Sequence, residues 1–158
     1  MAATITPDDR KALLDRFLRY VKVDTRSDES STTSPSTEKQ KDLSRMLVDE
    51  LRALGCEDAA MNEWGYVFAT VPGNLPADHP AAGKVPTIGL IAHVDTYFGT
   101  PGAEVKPQII ETYEGGDIVL NPEQVLTEAD SPNLAACKGH TIIHTDGTTL
   151  LGADDKAG

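Results

Sequence analysis

The chain has 158 residues, a formal net charge of -11, and hydrophobic and charged shares of 39% and 25%. A chain of this length can bury roughly 70% of the surface that its unfolded form exposes, which is enough for one compact domain. The negative charge disfavours nucleic acid and anionic membranes as partners, because both would repel it, and no apolar run in the sequence approaches the roughly 20 residues that cross a bilayer.

The first part of the chain is predicted to form a helix followed by a polar loop. Thr6 is a typical helix cap, Pro7 suits the first helical position, and two acidic residues follow near the positive end of the helix dipole. Apolar residues then recur at helical spacing and are expected to share a buried face: Leu13, Leu14, Phe17, Leu18 and Val21. Residues 24–36 are rich in Ser and Thr, which predicts a loop.

The start of the chain bears on its location in the cell. Residues 1–5 contain neither a basic segment nor an apolar block, so no secretory signal is expected. We therefore predict a cytoplasmic protein.

A second helix is predicted over residues 37–54, ending at Gly55, which can adopt the left-handed conformation that terminates helices. Its expected buried stripe comprises Leu43, Met46, Leu47, Leu51 and Leu54. Residues 66–71 are β-branched and aromatic, which predicts a strand. Residues 72–86, with repeated Pro, Gly and Ala, are expected to form a surface connection.

Residues 87–92 form a nearly continuous apolar run, which is typical of a strand buried on both faces of a sheet. His93 and Asp95 follow this run at the end where open α/β sheets bind their ligands. Further on, short strands are predicted at residues 108–112 and 117–120, with no helix between 96 and 138. Residues 141–151 are predicted to form a hairpin around the Asp146-Gly147 turn.

Two His-x-Asp triplets occur, at residues 93–95 and 144–146. Alternate residues of a strand face the same way, so either triplet could present both side chains together. His93 ends a buried strand, where a polar pair needs a partner such as a metal. Turn chemistry explains Asp146 instead. The alternative for His93 is a hydrogen-bonded surface histidine.

Asp154 and Asp155 form an adjacent acidic pair close to the C-terminal residue. One interpretation is a capping pair at the start of a helix, since acidic side chains are favoured there. The other interpretation is a set of hard oxygen ligands for divalent metals. Only the fold could bring this pair to the His93 triplet, so the residues themselves leave both interpretations open.

Five segments, in chain order, resemble the peptidase T family of two-zinc exopeptidases: residues 62–70, 86–96, 105–110, 115–118 and 145–158. Residues 20–28 resemble the opening of the same family. The resemblance implies an α/β three-layer sandwich with a mostly parallel central sheet, the fold of a zinc-dependent exopeptidase catalytic domain. Residues 1–158 would form the N-terminal part of that catalytic domain, truncated at its C-terminal side, with its remainder and a second domain absent.

The resemblance also implies roles for particular residues. His93 would bind one zinc ion, Asp154 would bridge two, and Asp95 would be the catalytic acid that orients His93. A complete active site would hold two Zn²⁺. The resemblance further implies a cis peptide bond between Asp154 and Asp155.

The family's Glu-Glu pair and its later Asp and His ligands do not occur in these 158 residues, and residues 97–102 differ from the family's Ser-Pro run. We therefore expect a parent enzyme that releases the N-terminal residue from tripeptides and a chain that is inactive alone. The alternatives are a related two-zinc deacylase, dipeptidase or carboxypeptidase, or a non-catalytic truncated module. The expected partner is a short peptide with a free N-terminus, and a homodimer is left open.

Overall fold

A computed structural model describes residues 4–158 of the chain as a set of short helices and strands. The helices are α1 (Pro7–Tyr20), α2 (Gln40–Ala53), α3 (Pro132–Ala136) and α4 (Ala153–Ala157). The strands are β1 (Ala60–Met61), β2 (Val67–Phe68), β3 (Gln108–Ile110), β4 (Ile118–Asn121), β5 (Gln124–Leu126) and β6 (Ile142–His144). Residues 1–3, on which the prediction of no secretory signal partly rests, lie outside the described residues.

Helix α1 begins where the sequence predicts. The Thr6 hydroxyl accepts a hydrogen bond from the Asp9 backbone N–H at 3.2 Å, and the Asp9 carboxylate accepts one from the Thr6 N–H at 2.8 Å. This reciprocal pair satisfies two of the donors that a helix start leaves unpaired. The predicted buried face is wrong in part, because Leu13 is exposed and Val21, just past the helix, is the buried member of the stripe.

Helix α2 begins three residues later than predicted and packs Leu43, Ser44 and Val48 into the interior. Its predicted stripe is confirmed at Leu43, whereas Leu54 is exposed. The two long helices are joined by polar contacts, since Glu50 of α2 accepts hydrogen bonds from side chains of α1: Arg16, Arg19 and Tyr20. Charge-assisted hydrogen bonds of this kind are stronger than neutral ones.

The strands form three separate two-stranded antiparallel sheets, β1–β2, β3–β6 and β4–β5. The α/β class is thus confirmed, but the three-layer sandwich with a mostly parallel central sheet is wrong for residues 4–158. Parallel pairing in these residues is limited to an isolated bridge between Arg26 and Thr96.

The predicted buried strand at residues 87–92 is also wrong. The segment belongs to none of the sheets, and Leu90 and Ile91 are 95% and 99% exposed. A strand buried on both faces needs hydrogen-bonded neighbours at its edges and other elements over its faces. The described residues place no such neighbours against this segment.

The later strands differ from the prediction in their pairing. Residues 108–110 and 118–121 are strands, as predicted, but residues 141–151 do not form a hairpin. Instead β6 pairs with β3, so that Gln108 lies opposite His144. The Asp146 carboxylate accepts a hydrogen bond from the Thr148 N–H at 3.0 Å and closes a local turn.

Three short elements, β1, β5 and α3, were not predicted. Of these, β5 and α3 contribute to a small core of Tyr113, Ile118 and Leu134. In the part of the chain from residue 4 onward, every helix is too short or too polar to cross a bilayer.

Candidate metal site

His93 and Asp95 directly follow the exposed segment 87–92. His93 Nδ1 lies 3.0 Å from Asp95 Oδ1, as expected for side chains that face the same way along an extended chain. An ionised carboxylate can only accept a hydrogen bond, so His93 Nδ1 is the donor. The other ring nitrogen, Nε2, is therefore the atom through which His93 can meet a further group.

Asp154 and Asp155 lie in the first turn of α4, which begins after Gly152. The peptide bond between them is trans, so the implied cis bond is wrong for the structure of residues 4–158. Gly152 has a φ of 68°, in the left-handed region that residues with a side chain rarely adopt. A Cβ atom at this position would lie 3.0 Å from the Thr96 methyl carbon. The absence of a side chain thus lets α4 approach the segment that carries His93 and Asp95.

This approach brings three potential ligand atoms together. His93 Nε2 lies 3.3 Å from Asp155 Oδ1, and His93, Asp154 and Asp155 each offer one atom within 4.8 Å of the others. The His93 side chain is 59% exposed and that of Asp155 is 13% exposed, so the cluster lies at the surface beside one largely buried carboxylate.

His93 and Asp154 thus lie close together, as the roles implied by the resemblance require, while their role as metal ligands stays a prediction. The sequence analysis did not single out Asp155 as the direct neighbour of His93. The only feature of the sequence that pointed to Asp155 was its place in the adjacent pair of acidic residues.

The donor atoms suit a divalent cation. Imidazole nitrogen and carboxylate oxygen are the usual non-thiolate ligands of zinc, and a catalytic zinc site commonly uses three protein ligands. Asp95 contacts the ring nitrogen that would not bind metal, and such a contact fixes the orientation of a ligating histidine. His93, Asp154 and Asp155 thus fit a metal, with Asp95 as the orienting residue.

The charges around His93 also favour a cation at this position. The pKa of His93 is raised, chiefly by its hydrogen bond to Asp95 and further by the negative charges of Asp155 and Asp154, although partial burial acts in the opposite direction. Because a metal and a proton require the same lone pair on Nε2, the two compete for His93. Lys156 follows Asp155 in α4, and burial lowers the pKa of its ammonium group to about 8.

The second His-x-Asp triplet has a structural explanation. His144 belongs to β6, and its Nδ1 lies 2.7 Å from the Thr145 carbonyl oxygen. Asp146 closes the local turn and lies 3.3 Å from the Lys106 ammonium. Within residues 4–158, the cluster of His93, Asp154 and Asp155 is the group with metal-binding geometry.

Two members of the cluster, His93 and Asp155, line a groove of about 1360 Å³. Apolar side chains of α1, α2 and residues 90–92 form much of its wall.

Comparison with known proteins identifies close relatives. The chain is 57% identical to peptidase T of Geobacillus thermodenitrificans and 56% identical to peptidase T of Bacillus subtilis, each over 151 residues that make up 94% of this chain. It is 53% identical over 150 residues to peptidase T of Alkaliphilus oremlandii. The resemblance predicted from the sequence is confirmed. The chain spans about 35% of the length of the first two relatives and 36% of the third. No protein-family model matches the chain.

Proposed function

Because the chain is related to peptidase T over 94% of its length, we propose that it supplies part of the catalytic domain of a metal-dependent aminopeptidase acting on tripeptides. The observation that carries the proposal is the cluster of His93, Asp154 and Asp155, whose ligand atoms lie within 4.8 Å of one another. The sequence places these residues in the two segments that resemble the family's metal-binding motifs. The fold brings the two segments together.

Zinc is the proposed metal, with His93 and Asp154 as ligands and Asp155 as a further carboxylate within reach. When bound, zinc would polarise a carbonyl group and bring the pKa of a bound water close to neutrality. His93 would bind through Nε2, while Asp95 holds the proton on Nδ1 and keeps the ring in place. The carboxylates supply the negative charge that retains divalent cations.

The proposed reaction is hydrolysis of the first peptide bond of a tripeptide with a free N-terminus. A general base that takes a proton from the attacking water typically contributes about 10²–10⁴ in rate. The sequence contains no Glu-Glu pair of the kind that the family resemblance requires for this role. We therefore expect this chain to hold metal ligands and to lack catalysis by itself.

A cytoplasmic site of action is part of the same proposal, as is the assignment of residues 1–158 to the N-terminal part of a zinc-dependent exopeptidase catalytic domain. Among the alternative enzymes, a deacylase, dipeptidase or carboxypeptidase would share the His-x-Asp triplet and the acidic pair. Residues 115–117 and 146–149 favour peptidase T over these alternatives, because they match that family's segments.

Zinc binding to the 158-residue chain tests the metal site directly. Zinc bound after dialysis should fall to background in His93→Ala and fall sharply in Asp154→Asn. The matched controls His140→Ala and Asp49→Asn change exposed residues of the same types and should bind zinc like the unchanged chain. Equal zinc binding by all five proteins would refute the assignment of His93 and Asp154.

The role of Asp95 is tested in a polypeptide of the relatives' full length that contains this chain. Asp95→Ala should lower turnover of a tripeptide strongly while most of the zinc stays bound, because Asp95 orients a ligand and is not one. His93→Ala should lose zinc and turnover together. Equal zinc loss in the two variants would make Asp95 a direct ligand.

A further inference from the structure

We infer that Lys156 is a positioning residue that fastens the segment carrying His93 and Asp95 to the helix carrying Asp154 and Asp155. The inference rests on the proposed metal site and concerns how the chain holds its ligands in place. It assigns a role to a side chain that touches neither ring nitrogen of His93.

Lys156 is 6% exposed, although lysine is almost never fully buried without a partner. Its ammonium donates hydrogen bonds to the Thr25 hydroxyl and, at 3.3 Å, to the Val94 carbonyl oxygen. The Thr25 partner is itself completely buried. These bonds join α4 to residues 62 and 131 positions earlier in the chain.

Val94 lies between the two members of the triplet, and its carbonyl belongs to the peptide unit that leads directly to Asp95. The preceding residues 87–92 lie outside the sheets of the described chain and give His93 no support from a neighbouring strand. Since the peptide unit is planar, fixing the Val94 carbonyl restricts the backbone at Val94 and Asp95, and the Asp95 side chain in turn contacts His93.

A second set of contacts ties the same segment to residues 25–27. The Thr96 N–H donates to the Thr25 carbonyl at 3.1 Å, and the Ser27 N–H donates to the Thr96 carbonyl at 2.9 Å. Thr25 therefore contacts the triplet segment through its backbone and α4 through its hydroxyl. Lys156 closes this three-way junction between residues 25–27, residues 94–96 and α4.

The alternative role for Lys156 is simple filling of space. An apolar side chain of similar length would fill the same volume without the cost of burying an ammonium group. The two roles therefore predict different behaviour for Lys156→Met. Filling predicts unchanged metal binding and unchanged or higher stability, whereas positioning predicts weaker metal binding at similar stability.

The test measures zinc affinity by calorimetry, the Co²⁺ absorption spectrum and the thermal unfolding midpoint of the 158-residue chain. Lys156→Met should bind zinc about 10–100-fold more weakly, the usual range when an outer partner of a metal ligand is lost. Its Co²⁺ spectrum should change, while its unfolding midpoint should be unchanged or higher. Lys84→Met removes the same charge from an exposed loop and should bind like the unchanged chain.

Thr25 provides a second, independent test. Thr25→Val removes the hydroxyl that accepts from Lys156 and should weaken zinc binding, whereas Thr25→Ser keeps the hydroxyl and should restore the affinity. This pair decides the question even if Lys156→Met fails to fold.

Two results would overturn the inference. Zinc affinity that is unchanged or higher in both Lys156→Met and Thr25→Val would refute positioning and leave the metal site intact. Absence of zinc binding by the unchanged chain would refute the metal site itself and the inference with it.

Discussion

Replacing Gly152 with Ala tests whether close packing of α4 forms the candidate site. The backbone at this glycine has a φ of 68°, a region that costs a residue with a side chain roughly 1–2 kcal/mol. The new methyl group would also lie 3.0 Å from the methyl carbon of buried Thr96. Overpacking of this kind typically adds about 1–3 kcal/mol.

We therefore expect Gly152→Ala to lower the free energy of unfolding by about 3 kcal/mol. In a chain of this size that corresponds to a fall of about 6–12 °C in the unfolding midpoint. Zinc affinity should fall as well, because α4 must move away from Thr96 and carry both aspartates with it. Circular dichroism on heating and zinc calorimetry measure the two effects.

Gly83→Ala is the matched control. Gly83 has a nearly equal φ of 70°, and no atom lies within 4 Å of the position that its Cβ would occupy. It should therefore incur the backbone cost alone, about 1–2 kcal/mol, without any change in zinc affinity. If the two variants are equally destabilised and bind zinc equally well, the close approach at Thr96 does not determine the site.

Three further predictions concern other parts of the chain. Glu50→Gln should cost about 1–2 kcal/mol of stability at neutral pH, because hydrogen bonds to a charged acceptor are lost. Burial alone would raise the pKa of Glu50, but hydrogen bonds from Tyr20, Arg19 and Arg16 outweigh it and lower the pKa. This stability is therefore present above about pH 5 and is lost as the pH falls through the folded-state pKa. In denaturant titrations, the loss of unfolding free energy caused by Glu50→Gln should be smaller at about pH 3.5 than at neutral pH, with exposed Glu57→Gln as control. A loss that grows on acidification would contradict the reasoning. The exposed apolar residues Leu90 and Ile91 should make the isolated chain self-associate. Changing both to Thr should reduce association in sedimentation experiments, whereas Val71→Thr, at another exposed apolar residue, should not. Unchanged association in the double variant would show that another surface is responsible. The 158-residue chain should not hydrolyse a tripeptide even with excess zinc, and turnover that disappears in His93→Ala would refute that expectation.

The sequence determined the features that depend on neighbouring residues. Thr6 and Asp9 lie three positions apart, so their reciprocal capping bonds follow from local geometry and α1 starts where predicted. The His93 and Asp95 contact is equally local, because it needs only an extended backbone. The motif resemblance is also a property of sequence alone, which is why the relationship to peptidase T could be stated without coordinates.

Which distant residues meet depends on the folding of the whole chain. The pairing of β3 with β6 in place of a hairpin, the contact of His93 with Asp155 and the junction at Lys156 each join residues far apart in the chain. Residues 87–92 also depend on distant partners. Their apolar pattern predicts burial, but the described residues do not supply the neighbours that burial requires, so the segment is exposed. Local propensity contains no information about such partners. The entropy lost on closing a long loop is offset only when all the distant packed groups assemble together.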